Sequence, residues 1–414
     1  MTEEKIGLIQ LVSEQTMQNL LPVLALKPEK LYHLSTPKTA SRSPHIVEAA
    51  RQAGVEVQVE NVRMSEMPSI AETSRAVERI VGQCGEEGLL PVVNFTGGTK
   101  LMSIGAYEAA LRKQVASVYV DTDHQALHDG NTSAELRRVL HGDFSFTPLQ
   151  RALTVNAIAV ANGRERVTGG RDWRPYVPLA RHLFENAAEE QETWRALHGP
   201  GGLCPGGREP RRAEDWLELI SRPIQLPAKV VELATACGIV RTDGISGYLP
   251  DTSKADLERC ARDTGRHASG YYERVRPLQF SIAFLTGGWW EVMVADGADR
   301  SGQFRDLRWS VNVGERAGGY DAEDDIVAVD GVQIVYISCK RGGMKARLVP
   351  LLDELDNRAR AIGGNFTRRF LAVCNAPTGQ TMTNLRRRAK ELNGIQIITG
   401  GDLENPAVFE RHQR

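Results

Sequence analysis

Short apolar runs alternate with amphipathic stretches through the first third of the chain. Residues 6–12 bring Ile6, Leu8, Ile9, Leu11 and Val12 into one run, as in a strand buried on both faces. Helical spacing follows over 16–26, then a short strand over 30–34. A helix is predicted over 43–53, with Ser43 as its cap and Pro44 at the first helical position. Strands over 55–59, 89–94 and 115–120 then alternate with helices over 70–84 and 101–111. Such β-α repetition predicts a parallel sheet covered on both faces.

The pattern changes beyond residue 145. Residues 178–197 read as a helix with Pro178 at its start. Glycine and proline crowd residues 198–207 and deny any regular element there. A helix over 228–237 followed by a short hairpin over 238–249 has a winged-helix outline, although a structural spacer between two working domains is the better reading. In the last third, a helical run over 280–296 is interrupted by Gly287-Gly288, and a Val/Ile-rich hairpin spans 325–340. An amphipathic helix over 348–361 carries Asp353, Glu354 and Asp356; strands over 370–374 and 395–398 flank a helix over 381–392. The fold expected is α/β, with a Rossmann-like domain over 1–145, a helical, winged-helix-like middle over 146–275 and a second α/β domain over 276–414.

In a parallel sheet, ligands bind past the carboxyl ends of the strands. There the first domain places Ser13, Gln15 and Thr16, then Thr36 and Thr39, then the run from Asn94 through Thr96, Gly97, Gly98 and Thr99 to Lys100. Two glycines between hydroxyl residues, with a lysine opening a helix, make a cradle for anionic oxygen. A structural turn before a helix would look the same in isolation. The glycine fingerprint of dinucleotide sites and the Walker A spacing are both absent.

The hairpin carries the second chemistry. Asp330-Gly331 suits a two-residue type I′ turn. Val332, Ile334, Tyr336, Ser338 and Lys340 then share one face, and such a turn pairs Asp325 with Tyr336 on that face. Strand twist or a bulge would bring Asp325 to Lys340. A carboxylate and an amine at a sheet edge can bind a divalent metal and activate water for phosphodiester cleavage. That is the core of the PD-(D/E)XK nuclease pattern; a hairpin ending in a surface lysine is the plainer reading. The usual acid two residues before the lysine is replaced by Ser338, a poor metal ligand. Glu291, Glu323 and Glu354 are the candidates to compensate.

Composition narrows the class. With 414 residues, 41% apolar and 25% charged, the chain suits a globular protein of two or three domains. No apolar run reaches the length of a membrane span, and the start has no signal-peptide pattern. Six scattered cysteines without a C-x-x-C pair fit neither a zinc cage nor a disulfide framework, so reduced thiols and a cytoplasmic location are expected. Net charge is −1, yet basic residues gather late: Lys340, Arg341, Lys345, Arg347, Arg368, Arg369, Arg386, Arg387, Arg388 and Lys390. Such a cluster is either a phosphate-tracking groove or a solvated helix face.

Three motifs in this order, residues 94–102 (NFTGGTKLM), 287–291 (GGWWE) and 337–340 (ISCK), resemble the CARF-domain nucleases of type III CRISPR systems. The resemblance implies a CARF domain over 1–145 that forms a homodimer and binds a cyclic oligoadenylate, above all cyclic tetra-adenylate, across the two-fold axis. Backbone amides at Gly97, Gly98 and Thr99 would hold phosphate. Side chains at Ser13, Gln15, Thr16, Thr36, Thr39 and Lys100, with Asn94 and Thr96 beside them, would hold ribose or adenine. Residues 276–414 would be a restriction-endonuclease-like domain that nicks or cuts DNA, with single-stranded RNA as a further substrate. Mn²⁺ or Mg²⁺ would be held by Asp325 and the Cys339 carbonyl, with Glu291 or Glu354 supplying a further oxygen, and Lys340 would act on the attacking water. Ser338 keeps a second class open, a ring-sensing nucleic-acid-binding regulator that does not cut.

Overall fold

A computed structural model describes the chain apart from residues 1–3, 123, 132–133, 140–144, 165, 209, 251–253, 263–270, 315–321, 343–347, 393 and 411–414. The first sheet has the order β3-β2-β1-β4-β5-β6. Its strands are β1 (Ile6–Leu11), β2 (Lys30–Ser35), β3 (Gln58–Arg63), β4 (Leu90–Asn94), β5 (Ala116–Asp121) and β6 (Ala126–Asn131). The first five run parallel, as the β-α repetition predicts; β6, which the sequence pattern did not reveal, turns back antiparallel on β5. The helices of this part are α1 (Met17–Leu26), α2 (Ser43–Gln52), α3 (Ile70–Glu86), α4 (Lys100–Lys113), α5 (Ala134–Val139) and α6 (Val155–Ala161).

Alternate side chains of β1 enter different cores. Ile6 and Leu8 pack with α1, α2 and α6, whereas Ile9 and Leu11 pack with α3 and α4. Thr99 and Thr154 cap α4 and α6, accepting from the amides of Met102 (3.3 Å) and Ala157 (3.2 Å). Ser43 does not serve as the expected cap. It lies inside α2, and its hydroxyl donates to Asn61 (2.7 Å) and meets the buried ring of His33 (2.6 Å). Burial pushes His33 down to about 3, so its ring is neutral.

The middle of the chain contributes α7 (Val177–Glu185), α8 (Ala187–His198), α9 (Ala213–Ser221), α10 (Ala228–Ala236), the two-residue strands β8 (Arg241–Thr242) and β9 (Gly247–Tyr248), and α11 (Lys254–Arg262). The helix expected over 178–197 is broken at Asn186, where ψ reaches 71°. After it come α12 (Tyr271–Ala283) and α13 (Trp289–Arg300), joined by a π-helical turn over Phe284–Gly288 where the glycine pair interrupts the run.

The second sheet has the order β14-β13-β12-β11-β10-β7. Its strands are β7 (Arg166–Arg171), β10 (Arg305–Gly314), β11 (Ala322–Asp330), β12 (Gln333–Gly342), β13 (Arg368–Asn375) and β14 (Gln396–Thr399), accompanied by α14 (Leu348–Gly363) and α15 (Gln380–Glu391). One face, with Val329, Ile334 and Tyr336, packs on α14 and shares a continuous core with α6 and the first sheet. The opposite face, with Ile326, Ile337 and Cys339, packs on α13 and the middle helices. Strand β7 comes from within 146–275, so the last sheet is not assembled from the final third alone.

Candidate functional site

Because β2, β1 and β4 are neighbours, the loops that follow them meet at one edge of the first sheet. Gly97 lies directly on the end of β1, where any Cβ would collide with the Leu11 carbonyl oxygen. Gly98 has φ +73°, a conformation that favours glycine. Together they place the exposed Thr99 and Lys100 at the amino end of α4, where the helix dipole favours negative charge. Ser13 accepts from the Gln15 amide (3.1 Å) and Thr39 from the Thr36 amide (3.2 Å), which shapes the two neighbouring loops.

Two of the expected ligand-facing residues are turned inward. Thr16 is fully buried and donates to Asn162 at the end of α6 (3.1 Å). Asn94 is also buried, donating to the Gln18 carbonyl (2.9 Å) and accepting from the Thr96 hydroxyl (2.7 Å). Thr96 in turn accepts from the Val120 amide (2.7 Å). These residues brace the cradle instead of lining it.

At the second sheet, Ile326 pairs with Ile337 and Asp330 with Gln333, so the turn is Gly331-Val332 and not Asp330-Gly331. The register therefore sets Asp325 level with Ser338 instead of Tyr336. A two-residue shift preserves the face, and Asp325 still meets the lysine: its Oδ2 lies 3.6 Å from Lys340 Nζ. The same oxygen accepts from the Cys339 amide (2.6 Å) and the Ser338 hydroxyl (3.2 Å). Cys339 is buried, and burial holds its thiol well above the usual range, so its backbone is the part that reaches Asp325.

Glu291 arrives from the opposite layer. Trp290 anchors the start of α13 by donating to the Ala372 carbonyl (3.0 Å), and the next residue, Glu291, accepts from Trp309 Nε1 (2.9 Å). Burial first, then the Asp325 charge, pushes the Glu291 carboxyl up to about 8. Glu323 and Lys340 also act on it, in opposite directions. Glu323 itself accepts from Ser310 (2.5 Å). Four of the expected residues are thus brought into one electrostatic neighbourhood, with Ser338 on its floor.

Glu354 is not among them: it is exposed on α14 and reaches Arg358 at 4.0 Å. Arg358 serves Asp324, a residue that sequence reasoning passed over. Asp324 is buried between Arg358 (2.6 Å) and the Tyr336 hydroxyl (3.0 Å), and burial raises it to about 6. An acid adjoining the candidate Asp325 was the available signal.

The late basic cluster is largely engaged. Arg369 pairs with Asp356 (2.9 Å), Arg388 with Asp353 (2.8 Å), Arg368 with Asp330 (2.5 Å), and Arg341 with the buried Glu190. Lys345 and Arg347 lie outside the described residues.

Residues 8–140 match the Card1 CARF domain family. The first sheet is therefore the core of a CARF domain at the amino end of a mixed α/β chain. No curated protein sequence matches the chain. In fold, the chain is similar to Can2 from Sulfobacillus thermosulfidooxidans in complex with cyclic tetra-adenylate. Identity is 17%, the TM-score 0.64, and the match covers 97% of this chain and 98% of that one. It is also similar to protein VC1899 from Vibrio cholerae, at 14% identity and TM-score 0.61, covering 97% and 96%. At these identities the likeness is one of fold.

Proposed function

We propose that this protein is a cyclic-oligoadenylate-activated, metal-dependent endonuclease of type III CRISPR defence. The observation that carries the reading is the approach of Lys340 to Asp325 at 3.6 Å, beside a Glu291 whose carboxyl is pushed up by burial and then by that same aspartate. An excess of carboxylate around one lysine, in a chain that also carries a CARF cradle, is what ring-gated hydrolysis of a polyanion needs.

The donors fit a hard divalent ion in kind and in charge, since they are oxygens with surplus negative charge. Asp325 and Glu291 would hold Mn²⁺ or Mg²⁺. The Cys339 carbonyl joins them, because N–H and C=O of one strand residue project to the same edge and the N–H already meets Asp325. The carboxylates are not closed into a tight trio: among the described residues, the group of three whose ligand atoms all lie within 4.8 Å is elsewhere. When bound, the ion would supply charge for the phosphodiester and a more acidic water. Lys340 orients the attacking water and steadies charge on the phosphate. Trp309 holds Glu291, and Ser338 and the Cys339 amide hold Asp325, in place.

Activation rests on two copies sharing one ring. In support, α4 leaves Leu101, Ile104 and Leu111 exposed along one side, an apolar stripe suited to a second copy. Cyclic tetra-adenylate is the ring favoured, by fold likeness to the Can2 complex. Supercoiled plasmid and single-stranded RNA are to be incubated with Mn²⁺, with and without cyclic tetra- and hexa-adenylate. Cleavage that requires both metal and one ring is expected, and it should vanish in Lys340→Ala while ring binding persists. Ser338, donating to Asp325 where an acid is usual, favours a second reading, a ring sensor that binds nucleic acid without cutting. Tight ring binding with no cleavage would select it.

A further inference from the structure

We propose that Asp121, His124 and His128 form a transition-metal site on the CARF domain, separate from the acidic cluster of the second sheet. Asp121 ends β5, His124 stands in the turn and His128 lies on β6. The β5–β6 register pairs Asp121 with Ala126 and Tyr119 with His128, so Asp121 and His128 are diagonal neighbours on one face. One carboxylate oxygen, Asp121 Oδ2, is 2.8 Å from His124 Nδ1 and 2.8 Å from His128 Nε2. All three ligand atoms lie within 4.8 Å of one another. The His124 amide also donates to Asp121 Oδ1 (2.9 Å), which fixes the carboxylate against the turn.

The donor set names the ion class. Two imidazoles and one carboxylate suit Zn²⁺ or a neighbouring first-row ion, whereas Mg²⁺ and Ca²⁺ prefer oxygen alone. Metal–ligand bonds of about 2.1 Å require each ring to turn its lone pair toward the ion. The exposed rings of His124 and His128 have room for that rotation. Three protein ligands leave a position open on the solvent side.

The place of this site gives it a consequence. Gln125, next to His124, rests on the Gly331 turn between β11 and β12, where any added Cβ would collide with its amide. The ion would therefore tie down a hairpin of the CARF domain that touches the hairpin bearing Asp325 and Lys340.

The test uses the full chain. Zn²⁺, Co²⁺ and Mg²⁺ are titrated separately into the wild type and into the His124→Ala/His128→Ala double variant, which keeps the Asp121 carboxylate. Calorimetry should show one more Zn²⁺ equivalent in the wild type than in the variant, because any ion near Asp325 binds both proteins alike. Visible Co²⁺ bands of a nitrogen-ligated ion should appear in the wild type alone, and Zn²⁺ should raise its melting temperature but not the variant's. Equal stoichiometry and equal spectra in two proteins that melt alike without metal would overturn the site. A wild type that takes the extra equivalent as Mg²⁺ as readily as Zn²⁺ would overturn its ion class.

Discussion

Ser310 and Asp325 stand opposite each other across β10 and β11, and both strands change the core they face at that point. Trp309 and its partner Ile326 enter the core beneath α13. Two residues along, Val311 enters the opposite core, and its partner Asp324 reaches Tyr336 and Arg358 there. Ser310 absorbs the reversal with φ +56°, and Gly169 and Gly170 on the adjoining β7 take φ +83° and +92°. A fault line thus crosses three strands. It frees Asp325 from the ladder to accept the Cys339 amide and meet Lys340.

Ser310 is accordingly the position where backbone conformation sets the site. Ser310→Gly should leave stability within about 1 kcal/mol, since glycine adopts this φ without strain. Ser310→Val should cost about 2 kcal/mol or more, because a β-branched residue resists positive φ. It also removes the hydroxyl that Glu323 accepts. Urea unfolding of the two variants gives the comparison, and equal midpoints would contradict the strain argument.

Gly97 plays the same part at the cradle. Gly97→Ala drives a methyl into the Leu11 carbonyl, a backbone atom that cannot rotate away. The loop must lift, and with it the amides at the start of α4. Ring affinity measured by calorimetry should fall at least about tenfold, equivalent to about 1.4 kcal/mol. Cleavage at saturating ring should recover. A variant binding with wild-type affinity would place the ring elsewhere.

Much of this was legible in the chain. The β-α repetition located the CARF sheet, and the glycine pair before Trp289 located the break that presents Glu291. The hairpin face was right although its turn was not, because a shift of two residues preserves alternation. Arg368 pulls on Asp330 from β13, and no local pattern discloses that contact. The fault at Ser310 was invisible for a similar reason, since it depends on neighbours in two other strands. Strand β7 hides in a polar, glycine-bearing sequence. The engaged state of Arg388 depends on Asp353, 35 residues away in the chain, and that of Arg341 on Glu190 from α8.

Arg358 should matter more for stability than its surface position suggests. Replacing it with Met leaves Asp324 buried with only the Tyr336 hydroxyl, an uncompensated charge. The loss should be about 3 kcal/mol at neutral pH. Adding Asp324→Asn should restore part of it, because the orphaned charge goes too. A double variant no more stable than Arg358→Met would mean that the arginine acts through packing on α14.

The Glu291 carboxyl gives the pH dependence its sign. Its value in the folded, metal-free protein is raised from 4.5 to about 8 by burial and by Asp325. Between those values the folded state holds a proton that the unfolded state has lost. Stability contributed by this group is therefore full below about 4.5 and declines as pH rises toward about 8. Asp324 has the same sign, but its change is complete near its own raised value of about 6. His33, pushed down from 6.5 to about 3 by burial, contributes with the opposite sign up to its ordinary value, so the interval from about pH 7 to 8 isolates Glu291. In EDTA, wild-type melting temperature should fall across that interval, and the Glu291→Gln slope should be flatter. Mn²⁺ should flatten the wild-type slope as well, because an ion held by Asp325 and Glu291 favours the ionised carboxyl and displaces its proton. If Mn²⁺ left the wild-type slope unchanged while Glu291→Gln removed it, the carboxyl would titrate as argued but would not hold the ion.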